Sequence, residues 1–105
     1  EGKKQVVDIG DLVSQACEMI IPKIGNAIKR IVAGADPEYQ PVLRNNIILS
    51  GGGSLIDGIA ARMTEEISDI GDVTVWCGED PINAVANGAL QLAGEMPDDM
   101  YTAIK

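Results

Sequence analysis

An α/β fold with parallel strands and packed helices is what this chain predicts, and three stretches carry that expectation. Residues 9–32 repeat apolar side chains at spacings of three and four, the period of a helix with one buried face. The run Asn46-Ile47-Ile48-Leu49-Ser50 empties into Gly51-Gly52-Gly53, and a second helical pattern follows directly. A further apolar run, Val73–Cys77, leads into Asp80-Pro81, a capping residue followed by proline at a first helical position. The order helix, strand, helix, strand, helix favours parallel strands joined by crossovers. Ligands then belong at the carboxyl ends of the strands, where the glycines lie.

Each element has its own grounds. Gln5-Val6-Val7 reads as the end of a strand. Asp8 offers the first helix an N-cap, and Asp11 sets negative charge near the positive end of its dipole. Ile9, Leu12, Val13, Ala16, Ile20, Ile24, Ala27, Ile28, Ile31 and Val32 form its expected buried face. Pro22 removes a backbone donor in mid-helix and crowds the preceding turn, at a cost of about 3 kcal/mol. A bend or a break is expected there. Gly34-Ala35-Asp36-Pro37 ends the helix.

Residues 36–45 form a polar connection with a short helical turn over Pro41–Arg44. Three adjacent apolar residues, Ile47–Leu49, suit a strand covered on both faces. The second helix runs from Leu55 to about Ile67, with Ser54 as its N-cap and Ile56, Ile59, Ala60, Met63 and Ile67 inward. Gly71-Asp72 is a turn before the second strand, Val73–Cys77, where Trp76 is expected to pack in the core. Ile82, Val85, Ala86, Ala89, Leu90 and Ala93 form the buried face of a third helix that Gly94 closes. Residues 95–105 read as a polar tail with room for a short helix. The 105 residues are expected to fold as a single compact unit.

Sixteen acidic residues against eight basic ones give a net charge of −8. Such a surface repels phosphate backbones and anionic lipid heads, so neither nucleic-acid binding nor direct membrane insertion is expected. Lys23, Lys29 and Arg30 gather in the first helix, whereas Asp57 through Asp80 is acid-rich. Either these are solvated helix faces or they complement one another head to tail between subunits of a polymer. Cys17 and Cys77, with no histidine, cannot supply the four ligands of a zinc site. They read as small core residues of a reducing cytoplasm. No run reaches the roughly eighteen apolar residues of a membrane span, and no signal peptide is expected. The start at Glu1 rather than methionine points to an excised piece of a longer protein.

The glycine loop carries the chemistry. Glycine admits positive φ and removes the Cβ that would hold a ligand at a distance. Two phosphate fingerprints fail here. A dinucleotide G-x-G-x-x-G starting at Gly51 would need glycine where Ile56 stands. Gly53 and Gly58 fit the P-loop spacing, but Ile59-Ala60 replaces its Lys-Ser/Thr. Something flat or sugar-like, approached closely by backbone, is the remaining class of ligand. Glu79 and Asp80 are adjacent at a strand-to-helix junction, where neighbours point apart, and Glu65-Glu66 reads as a solvated helix face. No catalytic residue and no metal ligand is assigned.

The segment Asn46–Gly58, then Val73-Thr74-Val75-Trp76-Cys77-Gly78-Glu79-Asp80-Pro81 and Ala84-Val85-Ala86-Asn87-Gly88-Ala89, resembles the C-terminal part of a bacterial actin of the MreB-like kind. The resemblance covers nearly the whole chain and implies a partial actin-like (ribonuclease H-like) ATPase domain. It implies that Gly51, Gly52, Gly53, Ser54 and Leu55 form the adenosine-binding motif, with Ile56 beside the base. ATP with magnesium would be the cofactor, the magnesium held by parts of the full-length protein outside this chain. Self-association into cytoplasmic, cytoskeletal filaments is implied as well, together with contacts to other segments of the actin fold. ATP hydrolysis is expected of the whole protein and not of this segment alone, because the other phosphate-cradling loops lie upstream. Asp57 stands where the family often has a basic or polar residue. The other function class is a non-catalytic, actin-derived module that binds or caps filaments.

Overall fold

At the centre of the computed structural model is a two-stranded parallel sheet, β1 (Ile47–Leu49) beside β2 (Val75–Cys77). Ile47 lies opposite Val75, Ile48 opposite Trp76 and Leu49 opposite Cys77. The structure describes residues 2–103, so Glu1 and the end of the expected tail, Ile104 and Lys105, lie outside the described residues. Helices α1 (Gly10–Gly34) and α2 (Gln40–Arg44) precede β1, and α3 (Ile59–Glu66) joins the strands. Helices α4 (Ala84–Glu95) and α5 (Asp98–Ala103) follow β2. The α/β class with parallel strands and packed helices is the observed one, as is the short helix in the tail.

The core is small. Met63 and Ile67 of the α3 segment are fully buried against Ile21 of α1, with Ile28, Ile47, Val73 and Val75 packed around them. In α1 the buried stripe is Ile21, Gly25 and Val32, with Ile28 half-buried between them. Only part of the expected face is therefore covered: Ile9, Leu12, Val13, Ile20 and Ile31 are exposed, and Ile21 takes a place the periodicity did not give it. The reason is the position of α3, which packs beside the second half of α1. Gly25 marks the closest approach, since a Cβ there would come within 2.8 Å of Glu66 Cγ.

Several expectations yield to the structure. Gln5-Val6-Val7 forms no strand, because a strand needs a neighbour and none among the described residues pairs with it; Val6 and Val7 are exposed. The α1 helix begins at Gly10, whose N–H donates to Asp8 Oδ1 at 2.8 Å, and it runs unbroken through Pro22. β1 is open on one face, where Ile48 and Trp76 stand side by side and half-exposed, so Trp76 is a surface residue of the sheet. The α3 helix starts at Ile59, after Gly58 in the left-handed region (φ +78°), and Ile56 is left outside it and exposed.

Ahead of α4, Asp80 Oδ1 accepts from the Asn83 N–H at 3.3 Å, so the cap forms while the helix itself begins at Ala84. The expected buried face of α4 is open: Ile82, Val85 and Leu90 are all exposed. The outcome is an extended molecule rather than a compact one. Its radius of gyration is 19.1 Å and its extents are 61 × 45 × 22 Å, against about 13 Å for a compact 100-residue domain.

The turn into β2 is built by two residues. The Arg44 guanidinium donates to the Ile70 carbonyl and lies where a side chain at position 71 would stand. Gly71 has φ +111°, which an L side chain rarely adopts, so backbone and space both demand glycine there.

Candidate functional site

Ser50 leaves the carboxyl end of β1, and Gly51 turns the chain with φ +88°, a conformation that favours glycine. Gly52–Leu55 then form one 3-10 turn. The loop is sewn to the second strand by the main chain. The Gly51 N–H donates to the Pro81 carbonyl at 2.8 Å, and the Gly78 N–H donates to the Leu49 carbonyl at 3.1 Å. Ser50 Oγ also reaches the Pro81 carbonyl, at 3.4 Å. Cys77 Sγ approaches the Ser54 carbonyl at 3.3 Å.

Six expected site residues, Gly51, Gly52, Gly53, Ser54, Leu55 and Ile56, therefore fall on one continuous turn at the strand end. Their roles within it differ. Ser54 is not a helix cap: it is buried, and its hydroxyl donates back to the Gly51 carbonyl at 2.8 Å, closing the turn on itself. Leu55 and Ile56 are exposed on the outside of the turn. Gly51 spends its amide on Pro81, so it does not point at a ligand. The amides of Gly52 and Gly53 have no acceptor among the described residues. Neither residue has positive φ, and a Cβ on either would meet open space. The chain's own fold thus gives no reason for glycine at those two positions.

Beside the loop runs a groove of about 220 Å³. Cys17, Ile20, Ile21 and Ile24 of α1 form one wall, and Leu49, Ser50, Gly53, Ser54 and Ile56 form the other, above Ile59 and Met63. The apolar lining suits a ring or an aliphatic group and not a phosphate. The α1 wall was not singled out by sequence, although Cys17, Ile20 and Ile24 belonged to the apolar pattern of that helix. The buried Pro81 and its carbonyl were also missed as part of the site; the proline itself was legible only as a helix start.

No charged side chain among the described residues lines the groove. Arg62 of α3 donates from Nη2 and Nε to Glu18 Oε2 at 3.0 and 3.1 Å, and lies 3.4 Å from Glu66 and 3.7 Å from Glu65. The hydrogen bond to Glu18 holds Arg62 more firmly in its charged form; burial works against this, and the three carboxylate charges add to it. Glu66 is half-buried and paired, so the expected solvated face of Glu65-Glu66 holds for Glu65 alone. Lys29 Nζ meets Asp69 Oδ1 at 2.8 Å, and that hydrogen bond lowers the Asp69 pKa from its ordinary value. One of the three basic residues expected to face a neighbouring subunit is thus engaged within its own chain. Asp80 is held by Asn83 and Asn87, and Glu79 is exposed. Cys17 and Cys77 are free and half-buried, at the groove wall and beside the turn rather than in the core.

Comparison with known proteins agrees with this fold. Residues 2–100 match the MreB/Mbl protein family. The actin-like protein MamK of Paramagnetospirillum magneticum is 40% identical over 100 residues, covering 95% of this chain and 29% of that protein. MamK of Magnetospirillum gryphiswaldense is 38% identical, again over 95% of this chain and 28% of its own length. Two solved structures share the fold. A MamK double helical filament superposes with a TM-score of 0.75 at 41% identity, over 78% of this chain and 25% of that one. A non-polymerising MamK mutant bound to AMPPNP gives 0.76 at 39% identity, over 89% and 29%. The chain spans less than a third of the length of these relatives. A partial actin-like domain that carries the family's sequence over almost its whole length, this chain belongs to the MreB/Mbl family.

Proposed function

We propose that this chain is the adenosine-facing, C-terminal segment of a bacterial actin-like ATPase that assembles into cytoskeletal filaments, organising magnetosomes or other cell contents. Gly51, Gly52, Gly53, Ser54 and Leu55 hold the adenosine half of ATP in this reading, with Ile56 beside the base. The observation that carries it is the pair Gly52 and Gly53. Their ordinary backbone and the empty space around them mean that no internal contact requires glycine, while neither amide has an acceptor among the described residues. A ligand approaching the backbone closely supplies the missing reason. Support comes also from a similar MamK structure, described as bound to AMPPNP.

Hydrolysis and magnesium belong to other parts of the whole protein. Phosphoryl transfer needs several phosphate-cradling parts to converge, and this segment offers one glycine loop. Self-association accords with the similarity to a MamK double helical filament. Lys23 and Arg30, exposed and without an ion-pair partner among the described residues, are the charges left for such a contact. None of the described helices is long and apolar enough to cross a membrane.

Gly52→Leu in the intact protein tests the reading. The loop has room for the side chain, so the thermal unfolding midpoint should hold. Calorimetry with AMPPNP should show binding weakened by about tenfold or more. Unchanged affinity in the folded variant would leave the loop a simple turn.

A further inference from the structure

The entry to the glycine loop hangs on one carbonyl. The Gly51 N–H and Ser50 Oγ both donate to the carbonyl of Pro81, at 2.8 and 3.4 Å. Where that carbonyl points therefore decides how the loop leaves the sheet. Pro81 is buried, and its ring holds φ at about −65°. One torsion, ψ of Pro81, is left to aim the carbonyl, and the turn that follows sets it. That turn is closed by Asp80, whose Oδ1 accepts from the Asn83 N–H at 3.3 Å across Pro81 and Ile82. The Asn83 side chain donates back to both carboxylate oxygens at 3.2 Å, and Asn87, one turn into α4, donates to Oδ2 at 3.1 Å. No cation among the described residues pairs with this carboxylate. A helix cap is made by one such bond to a backbone N–H; the two asparagine amides here add a tie from the cap to the body of α4.

We propose that Asp80 is a positioning residue for the glycine loop: by capping the turn over Pro81–Asn83 it aims the Pro81 carbonyl at Gly51 and Ser50, and so sets where Gly52 and Gly53 present their amides to a nucleotide. The last step rests on the adenosine reading above; the hold of Asp80 on the loop does not. Asp80 touches no loop residue itself. It acts through Pro81, and the acceptor on its side chain matters more than its charge, because its partners are a backbone N–H and two neutral amides.

Two readouts on the intact protein separate these steps. Amide hydrogen–deuterium exchange, resolved to single residues by mass spectrometry, reports the Gly51–Pro81 bond with no nucleotide present. Asp80→Ala should speed exchange at the Gly51 amide about three- to tenfold, the effect of losing a cap. The Ile47 amide, bonded to the Thr74 carbonyl at the far end of the sheet, should stay within about twofold. Asp80→Asn keeps an acceptor for the Asn83 N–H and should hold Gly51 near its unaltered rate. Calorimetry with AMPPNP should follow the same order, with affinity weakened about three- to tenfold in Asp80→Ala and restored in Asp80→Asn. An unchanged Gly51 rate in Asp80→Ala, or equal acceleration at Gly51 and Ile47, would overturn the positioning role. Asp80→Asn as damaging as Asp80→Ala would overturn the cap as its route. Faster Gly51 exchange with undiminished AMPPNP affinity would overturn the step from loop to ligand; if Gly52→Leu also binds AMPPNP unchanged, the fault lies with the adenosine reading itself.

Discussion

The segment from α3 to β2 and the arm from α4 to α5 were each expected to bury one apolar helix face, yet Met63 and Ile67 are fully buried while Val85 and Leu90 lie 85% and 73% exposed. Composition would have predicted the reverse, since α4 is the more apolar of the two helices. What differs is the neighbour: α3 packs against both α1 and β2, whereas α4 has no comparably extensive contact with either. Amphipathic spacing states which side of a helix calls for cover. It does not state that the cover is in the same chain. For a chain matching under a third of its relatives' length, the open face of α4 and the Ile48–Trp76 face of the sheet are the same phenomenon seen twice.

The largest test of this contrast is at Met63. Truncation to alanine in a tightly surrounded site costs about 2–5 kcal/mol, comparable with all that a core of this size supplies. Urea unfolding of Met63→Ala should therefore show a collapsed midpoint or no cooperative transition. A midpoint close to that of the unaltered chain would mean that the small core is not what holds the fold. Leu90→Ala supplies the opposite pole. Being largely exposed, it should shift stability by no more than about 0.5 kcal/mol. A loss several times larger would reveal that the arm docks in solution, and would break the comparison.

The smallest effect sharpens the well-packed side. Asp69 is depressed below its ordinary value of 3.8 by the hydrogen bond from Lys29. A carboxylate whose folded pKa is lowered adds stability that is full above the ordinary value and fades as pH falls through the folded one. The carboxylate is largely exposed, so screening keeps the contribution small. Comparing urea midpoints of the unaltered chain and Asp69→Asn from about pH 5 down to about pH 2 should show the two converging at the acid end. A constant gap across that range would mean that the pair contributes nothing as an ion pair.

Local chemistry was legible in the sequence; relations between distant segments were not. The two strands, the short turn over Pro41–Arg44, the glycine at the Gly71 turn and the family all followed from spacing and turn residues, which depend on a few neighbours. The candidate site was legible as a stretch of backbone, since Gly51 through Ile56 do form one turn at a strand end. The orientation of its members was not. Ser54 looked like a cap because serine before an apolar run usually is one. The positive φ of Gly51 instead brings its own carbonyl within reach of the Ser54 hydroxyl, and the helix waits until Ile59. Ile21 and Gly25 were missed for a similar reason. The stripe that α3 selects on α1 runs through the one small residue that lets two helices approach, and no period announces that choice.

The crossing of Gly51 with Pro81, and of Gly78 with Leu49, joins the two strand ends through main-chain atoms alone. Such a joint is nearly silent to mutagenesis. Replacing Leu49 or Gly78 changes what projects from the crossing and leaves its donors and acceptors in place. A residue-by-residue survey of this molecule would therefore map the side chains around the glycine loop well and pass over the stitch that sets the loop's position. Replacing a single backbone amide with an ester at Gly51 would delete the Pro81 bond and nothing else. That is the chemistry by which this part of the molecule becomes visible.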